Sequence, residues 1–520
     1  MEVIDNRALL VRTRDPDKIT SVIQKSAVTK VHEDGIAEVM VHWSLGNAVI
    51  LKNLGFKKVL SPVLGQYEFP GIFTPFAHQR DTVGFVTLHQ KCYVLNDLGS
   101  GKTGALAWAS DYLMSIGAVK RVLIICPLSI MSCAWRNDLF NTVMHRRVGI
   151  AHGTRQQRIK VLNEKSDYVI INYDGVEVVR DEIMAAGFDM IILDESTAIK
   201  NAKSKRWKMI NSLIRHDTRL VLMTGTPAAQ SPMDAYGQIK LLDPKAVPSY
   251  AGAFQDKVMT KISTFRWLPK PDAMDYIYSL MQPAIRYTKE ECLDLPENLY
   301  STREVPLTPQ QKKYYDVLRK EMLLEVAGTE ISAVNAAVQM NKLLQLAAGS
   351  VYDDTGKTVL FDCSNKLNEL LDCIQQSSHK VLVFCAFRHS IDIVLEFLAK
   401  NHIAADAIHG DVSVKKRTAI FDKFQTSTEP QVLVIQPQAA SHGVTLTAAN
   451  TVVWFSPTTS AETYLQANAR VHRAGQKNPC LVVHLCSCPV EKKLYKALED
   501  RTLAQAGLLS MYKSFLGGEL

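Results

Sequence analysis

The sequence predicts an α/β protein: two lobes, each built on a parallel sheet, with a helical insert and a small N-terminal α+β appendage. Three observations carry this expectation. The chain has 520 residues, more than a single hydrophobic core of roughly 250–300 residues accommodates. Two separate sets of short, wholly apolar runs alternate with helical patterns, as parallel strands covered on both faces do. Between the two sets the pattern becomes polar and helical.

Taken in order, residues 1–70 hold the alternating segment Ile36-Ala-Glu-Val-Met-Val-His-Trp43, which reads as an antiparallel strand of the appendage. Residues 71–245 carry Tyr93-Val-Leu95, Val122-Leu-Ile-Ile-Cys126, Tyr168-Val-Ile-Ile171, Met190-Ile-Ile-Leu193 and Leu220-Val-Leu-Met223, the buried strands of a first lobe. Residues 246–365 read as a helical insert and linker, with Pro309 suited to the first turn of a helix. Val381-Leu-Val-Phe-Cys385, Ala404-Ala-Asp-Ala-Ile408, Val432-Leu-Val-Ile435, Thr451-Val-Val-Trp-Phe455 and Leu481-Val-Val-His484 then supply a second lobe over 366–500. Residues 501–520 read as a helical tail. No repeat of 20–50 residues and no low-complexity tract interrupts this order.

Composition narrows the function classes. Hydrophobic residues at 47% and charged residues at 22% belong to folded globular chains, not to disordered or collagen-like ones. The longest apolar runs are far shorter than the roughly 18 residues a bilayer span needs, so no membrane is expected among the partners. Met1-Glu2-Val3-Ile4-Asp5 has neither the basic flank nor the apolar stretch of a secretory signal, so the expected location is intracellular. The 10 cysteines are scattered, without a Cys-x-x-Cys pair, and are expected as reduced thiols. An excess of 60 Lys+Arg over 52 Asp+Glu gives a formal charge of +8, which permits a polyanionic partner without requiring one.

Three constellations carry chemistry. Gly99-Ser100-Gly101-Lys102-Thr103 follows the strand ending at Leu95 and precedes the helical Ala105-Leu-Ala-Trp-Ala109. In that context glycines turn backbone N–H groups inward, Lys102 meets the β/γ-phosphates of a nucleotide and Thr103 holds Mg²⁺. The plainer alternative is an ordinary glycine-containing turn. Met190-Ile-Ile-Leu-Asp194-Glu195 ends a strand in two carboxylates, placed to orient the Mg²⁺ shell (Asp194) and polarise an attacking water (Glu195). In Gln466-Ala-Asn-Ala-Arg470-Val-His-Arg473 the two arginines are three apart, so on a helix they share a face and both reach a γ-phosphate. A solvated basic helix face is the alternative there.

These residues resemble, in order along 75–500, the Swi/Snf-like branch of superfamily-two helicases. Phe76-Ala-His-Gln79 resembles the motif that reads adenine, and Asp97-Leu-Gly-Ser-Gly-Lys102-Thr103 resembles motif I, which explains why Asn96 stands where a Walker glycine would. Cys126-Pro-Leu-Ser129 with Trp135, and Ile171-Asn-Tyr173, are similar to DNA-contacting segments. Asp194-Glu195-Ser-Thr-Ala-Ile-Lys200-Asn201 resembles the Asp-Glu-x-His box, and Thr224-Gly-Thr-Pro227 resembles motif III. Leu295-Pro296, Leu307-Thr-Pro-Gln-Gln311 and Ser364-Asn-Lys366-Leu367 are typical of this branch. Phe384, His409-Gly410 and Arg417, then Gln436 to Leu446, then Gln466, Arg470 and Arg473-Ala-Gly-Gln476 are similar to motifs IV to VI.

The resemblance implies two RecA-like lobes, a nucleotide contacted by Gln79, Asp97, Gly99, Ser100, Gly101, Lys102, Thr103, Gly443 and Gln466, and the cofactors ATP and Mg²⁺. Its activity would be that of an ATP-dependent translocase moving along double-stranded DNA to remodel DNA structures or protein–DNA complexes. Fork reversal or annealing at branched DNA, and a motor subunit of a restriction or repair complex, are the alternatives. Three departures stand out: Thr197 replaces the box histidine, Gln230 an asparagine, and Gln436 to Leu446 lacks the usual Ser-Thr and paired glycines. The basic clusters Lys200, Lys203, Lys205, Arg206 and Lys415, Lys416, Arg417 are either phosphate contacts or solvated faces. With the length nearly filled by motor and appendage, target choice is expected from 1–70 or a protein partner. A prokaryotic or virus-infected cytoplasm is the expected setting.

Overall fold

The computed structural model describes residues 1–228, 231–263, 266–292, 296–328, 333–352, 357–440, 444–473 and 475–500. The chain divides into two units, one of Met1–Pro227, Ala235–Ala251 and Asp275–Cys292, the other of Ala228–Asp234, Gly252–Met274 and Leu293–Leu520.

The first unit opens with an antiparallel sheet of β1 (Glu2–Ile4), β2 (Ala8–Thr13), β3 (Ser26–Val31) and β4 (Ala37–His42), ordered β1-β2-β4-β3. Alternation along β4 sends Val39 and Val41 onto Leu9, Val11 and Leu51, a small core of its own. Hydrogen bonds tie this appendage to the helices Ala77–Leu88 and Lys102–Ser115 of the same unit. Lys52 Nζ donates to Leu88 O and Trp108 Nε1 to Pro70 O, each at 2.9 Å, and Tyr67 OH donates to the buried Asp111 carboxylate.

Next come β5 (Lys91–Val94), β6 (Val122–Cys126), β7 (Val148–Ala151), β8 (Tyr168–Asn172), β9 (Met190–Asp194) and β10 (Arg219–Met223). The strands β11 (Met259–Ser263) and β12 (Arg266–Pro269) form a two-stranded antiparallel sheet in the second unit, and β13 (Ala284–Ile285) then pairs with β5. The resulting seven-stranded sheet, β13-β5-β10-β9-β6-β8-β7, is parallel throughout. The apolar runs are buried on both faces, as strands of a parallel sheet covered by helices are.

The second unit has its own parallel sheet: β14 (Asn298–Glu304), then β17 (Lys380–Phe384), β18 (Ala405–Ile408), β19 (Val432–Ile435), β20 (Ala449–Trp454) and β21 (Cys480–Cys486), after a small pair β15 (Ser350–Tyr352) and β16 (Thr358–Leu360). The order is β14-β21-β20-β17-β19-β18. Phe384, Trp454 and Tyr464 fill its centre.

The region expected to be helical holds its long helices, Pro309–Gly328 and Ala333–Ala347, but also strands. β14 has no apolar run because it is an edge strand, with Leu299 and Tyr300 exposed; main-chain pairing with β21 holds it, and pairing leaves no mark on hydropathy. The segment Leu307-Thr-Pro-Gln-Gln311 is a helix start: Gln311 N donates to Thr308 Oγ1 (3.3 Å) and Thr308 N to Gln311 Oε1 (3.2 Å), a reciprocal cap around Pro309.

Candidate functional site

In the first unit, β5 leads through Asn96, Asp97 and Gly99 into the helix Lys102–Ser115. Gly99 and Gly101 hold φ of 85° and 74°, in the left-handed region that side chains resist. A Cβ on Gly101 would also lie 2.3 Å from Gln79 Nε2. Gln79 is fastened to the loop: Nε2 donates to Gly101 O (3.0 Å) while Oε1 accepts the Phe76 N–H (2.9 Å). A His78 ring nitrogen sits 2.8 Å from Ser100 O. Lys102, buried, donates from Nζ to Asn96 O (2.8 Å) and Asp97 O (3.1 Å), which keeps its charge over the loop. Ser100 Oγ is buried with no partner among the described residues. The first-turn amides of a helix have no intrahelical acceptor, and the helix dipole is positive there. A buried cation, an unmet hydroxyl and the first-turn amides of a helix fit the phosphates of a nucleoside triphosphate.

Asp194 and Glu195 reach the same edge of the sheet. Met223 of β10 pairs with Val94 on one side and Asp194 on the other, so Asp194 lies two strand spacings, roughly 10 Å, from the end of β5. Trp135, on the π-helical turn Met131–Arg136, donates Nε1 to Asp194 Oδ2 (2.7 Å), and the Glu195 N–H donates to Oδ1 (2.9 Å). Burial holds the Asp194 carboxyl above the usual carboxylate range, and the neighbouring Glu195 charge adds to this, while the Trp135 bond and Lys102 act the other way. Glu195 has φ 52° and ψ 60°, a left-handed conformation that costs a non-glycine residue on the order of 1 kcal/mol. Tyr173 OH donates to Asp194 O at 2.7 Å and so braces this turn. Ser196 Oγ donates to Gln238 Oε1 (2.7 Å), and Gln238 Nε2 to Pro227 O (2.8 Å), linking the acidic turn to Thr224-Gly-Thr-Pro227. A Cβ on Gly225 would stand 3.0 Å from Leu98 Cγ, so glycine lets that segment lie against the phosphate loop.

A divalent cation also fits. Among the described residues no group of three or more His, Cys, Asp or Glu gathers at metal-binding spacing. Mg²⁺ does not need one: a single carboxylate such as Asp194, the Thr103 hydroxyl, phosphate oxygens and water make its ordinary six-oxygen shell.

In the second unit the helix Ala461–Asn468 carries Gln466, whose Nε2 is 3.3 Å from Glu462 Oε1. The expectation that Arg470 and Arg473 share a helix face is not met, because this helix ends at Asn468 and both lie in the turns beyond it. The cause is local. Leu446 N takes the Arg470 carbonyl (2.9 Å) that a continuing helix would use, Arg470 N bonds Ala467 O in a tightened turn, and Gly475 adopts φ 95°. Arg470, 7% exposed, donates Nε to Gln466 O (3.0 Å), and Arg473 Nη1 donates to Val444 O (3.1 Å). Gly443, like Leu295 and Gln230, lies outside the described residues. Of the second basic cluster, Arg417 is turned inward onto the carbonyls of His409, Gly410 and Val412, whereas Lys415 and Lys416 are exposed.

The SNF2-related domain matches residues 38–350, more than half of the chain, and the helicase conserved C-terminal domain matches residues 365–475. The chain belongs to the SNF2-related family. It is accordingly an ATP-hydrolysing, helicase-like enzyme. It is similar to the SWI/SNF-related matrix-associated actin-dependent regulator of chromatin subfamily A-like protein 1 of Drosophila melanogaster, 24% identical over 420 residues that cover 78% of this chain and 52% of the fly protein. It is also similar to the putative protein p41 of Acyrthosiphon pisum secondary endosymbiont phage 1, 24% identical over 437 residues covering 79% of this chain and 93% of the phage protein. The solved Sulfolobus solfataricus SWI2/SNF2 ATPase core in complex with dsDNA aligns over 87% of this chain and 95% of that one, at 20% identity and a TM-score of 0.41. The chain spans about half or less of the length of the eukaryotic relatives it matches.

Within this SNF2-related chain the structure brings Gln79, Asp97, Gly99, Ser100, Gly101, Lys102, Thr103, Asp194 and Glu195 to one edge of the first sheet, and holds Gln466, Arg470 and Arg473 on the second unit. It gives a part to residues to which the motifs assigned no role: His78 on the loop, and Ser196 with Gln238 bridging two segments. Nine cysteines among the described residues are free, and no described helix is long and apolar enough to cross a membrane.

Proposed function

We propose that this SNF2-type ATPase is a double-stranded DNA translocase that uses ATP hydrolysis to remodel DNA structures or protein–DNA complexes. One observation carries the reading most of the way: the Gly99–Thr103 cradle and the Asp194–Glu195 pair sit on one edge of one parallel sheet, in a chain of this family. Mg²⁺ held by Thr103 and Asp194 would neutralise charge on the phosphates. Lys102 binds and orients the β/γ-phosphates once its bonds to Asn96 O and Asp97 O are exchanged for theirs. Glu195 orients the attacking water and receives its proton. Arg470 and Arg473 offer permanently charged guanidiniums to the charge that develops as the phosphoryl group is transferred. Bound DNA is then advanced once per cycle of nucleotide binding and hydrolysis.

Relatives named as chromatin regulators and as an ATP-dependent helicase support the motor reading. The phage relative supports a setting in a prokaryotic or virus-infected cytoplasm. The test is the ATPase rate without DNA and with single-stranded, duplex and forked DNA at matched salt. Duplex should stimulate, and Lys102→Ala should lower the stimulated rate at least a hundredfold while DNA binding persists. Stimulation by single strands with none from duplex would contradict the translocase assignment.

A further inference from the structure

Behind the acidic turn of the first unit lies an open cavity of about 450 Å³ lined by Tyr173, Thr197, Lys200, Ser204, Lys205 and Arg206, among others. Two of its cations already hold carboxylates. Lys205 Nζ pairs with Glu177 and Arg206 Nη2 with Asp174, both acids on the short helix Tyr173–Val178. Three of these four side chains are close to half exposed or more, and Arg206 is 39% exposed, so each pair contributes little and exchanges readily. The Arg206 guanidinium also lies 5.6 Å from the centre of the Tyr173 ring. The same Tyr173 is otherwise buried, and its hydroxyl donates to Asp194 O at 2.7 Å.

One side chain therefore touches a surface cation through its ring and the strained catalytic turn through its hydroxyl. Thr197, which stands where the family resemblance has histidine, lines this cavity. We propose that the cavity is a subsite for DNA backbone phosphate, filled by Asp174 and Glu177 in the absence of DNA, and that Tyr173 transmits its occupancy to the Asp194–Glu195 turn. The inference rests on the DNA reading above. Tyr173 is a positioning residue here, since it touches no reacting atom.

Phosphate fits better than a free acidic peptide. Replacing a tethered carboxylate by an untethered one gains nothing, whereas duplex DNA brings a dense row of charges and releases its condensed counterions on binding. When phosphate takes Arg206 from Asp174, the cation shifts relative to the Tyr173 ring, and the hydroxyl bond that braces Glu195 in its left-handed conformation shifts with it. Hydrolysis would thereby depend on DNA without any contact between DNA and nucleotide.

The experiment measures ATPase rate against duplex concentration for the whole protein, Tyr173→Phe, and the double variant Asp174→Asn/Glu177→Gln. For Tyr173→Phe the ratio of rates with and without saturating DNA should fall about tenfold, while the half-maximal DNA concentration moves less than about twofold. A purely structural loss would lower both rates together and leave the ratio intact, which would overturn the proposal. The double variant, freed of its internal competitors, should reach half-maximal stimulation at about one-third of the DNA concentration. An unchanged value would sink the carboxylate-exchange idea. Polyglutamate that stimulates the wild type as DNA does would replace phosphate by an acidic protein partner and overturn the assignment. If duplex fails to stimulate the wild type, the translocase reading falls first and takes this one with it; normal wild-type stimulation with an unaltered Tyr173→Phe ratio removes this inference alone.

Discussion

Lys366 and Glu491 form an ion pair with almost no access to water. Their side chains are 2% and 0% exposed, and Nζ lies 2.6 Å from Oε1. Lys366 comes from the helix Ser364–Gln376 and Glu491 from the first turn of Pro489–Glu499, so the pair pins two helices of the second unit together. At an effective dielectric of 20 the attraction at that distance is about 6 kcal/mol. Desolvation of two ions costs a similar amount, so the net contribution is small, but removing one partner leaves a buried, uncompensated charge and costs about 3–5 kcal/mol. Glu491 Oε2 also accepts the Ser487 N–H at 2.6 Å, and a replacement must keep that acceptor. Lys366→Met should therefore destabilise the second unit by about 4 kcal/mol, whereas Lys366→Met/Glu491→Gln, with no stranded charge and an amide oxygen left for Ser487, should recover at least about 2 kcal/mol. Hydrogen exchange across β20, at the centre of that sheet, reads this directly: protection should fall roughly 10³-fold in the single variant and recover at least about thirtyfold in the double. A single variant within about 1 kcal/mol of wild type, or a double variant no more stable than the single, would refute the reasoning.

Other outcomes are expected from the same structure. His484 is fully buried, stacked on Tyr495 at 4.2 Å, bonded to Tyr464 OH at 3.0 Å, and near Glu499; burial pulls its pKa down to about 4. The unfolded chain takes up this proton first as pH falls, so the stability contributed is complete above about pH 6.5 and is lost from there toward pH 4, about 3 kcal/mol in all. Urea unfolding from pH 7.5 to 4.5 should show that loss in wild type and a shallower one in His484→Gln; parallel pH profiles would exclude it. Asp111, 2% exposed, accepts bonds from Tyr67, Arg146 and His145. Asp111→Ala should cost about 3 kcal/mol and expose the appendage to limited proteolysis. Trp135→Phe removes the donor to Asp194 Oδ2 and should lower ATPase kcat about tenfold with folding intact by circular dichroism; an unaltered kcat would mean the bond is dispensable.

Much of this protein was legible in its sequence because buried parallel strands must be apolar on both faces. The runs at Val122–Cys126, Tyr168–Asn172 and Val432–Ile435 could hardly be stable elsewhere. The Gly99–Thr103 loop was legible for a similar reason: at Gly99 and Gly101 the backbone takes a conformation that nearly excludes other residues. β13 and β14 were not, since two residues pinned by neighbouring carbonyls and a half-exposed edge strand owe their place to main-chain bonds that any side chain allows. Periodicity placed Arg470 and Arg473 on a helix; a carbonyl captured by Leu446, more than twenty residues away, ended it. Local sequence thus determined where the glycine loop and the acidic strand end lie, which strands fill the two sheets and which family the chain resembles. Only the tertiary structure decided that Tyr173 braces Asp194, that Ser196 and Gln238 tie the acidic turn to Pro227, and that Lys366 serves the core of the second unit. Those are single hydrogen bonds and ion pairs between segments distant in sequence, and only the folded chain brings them together.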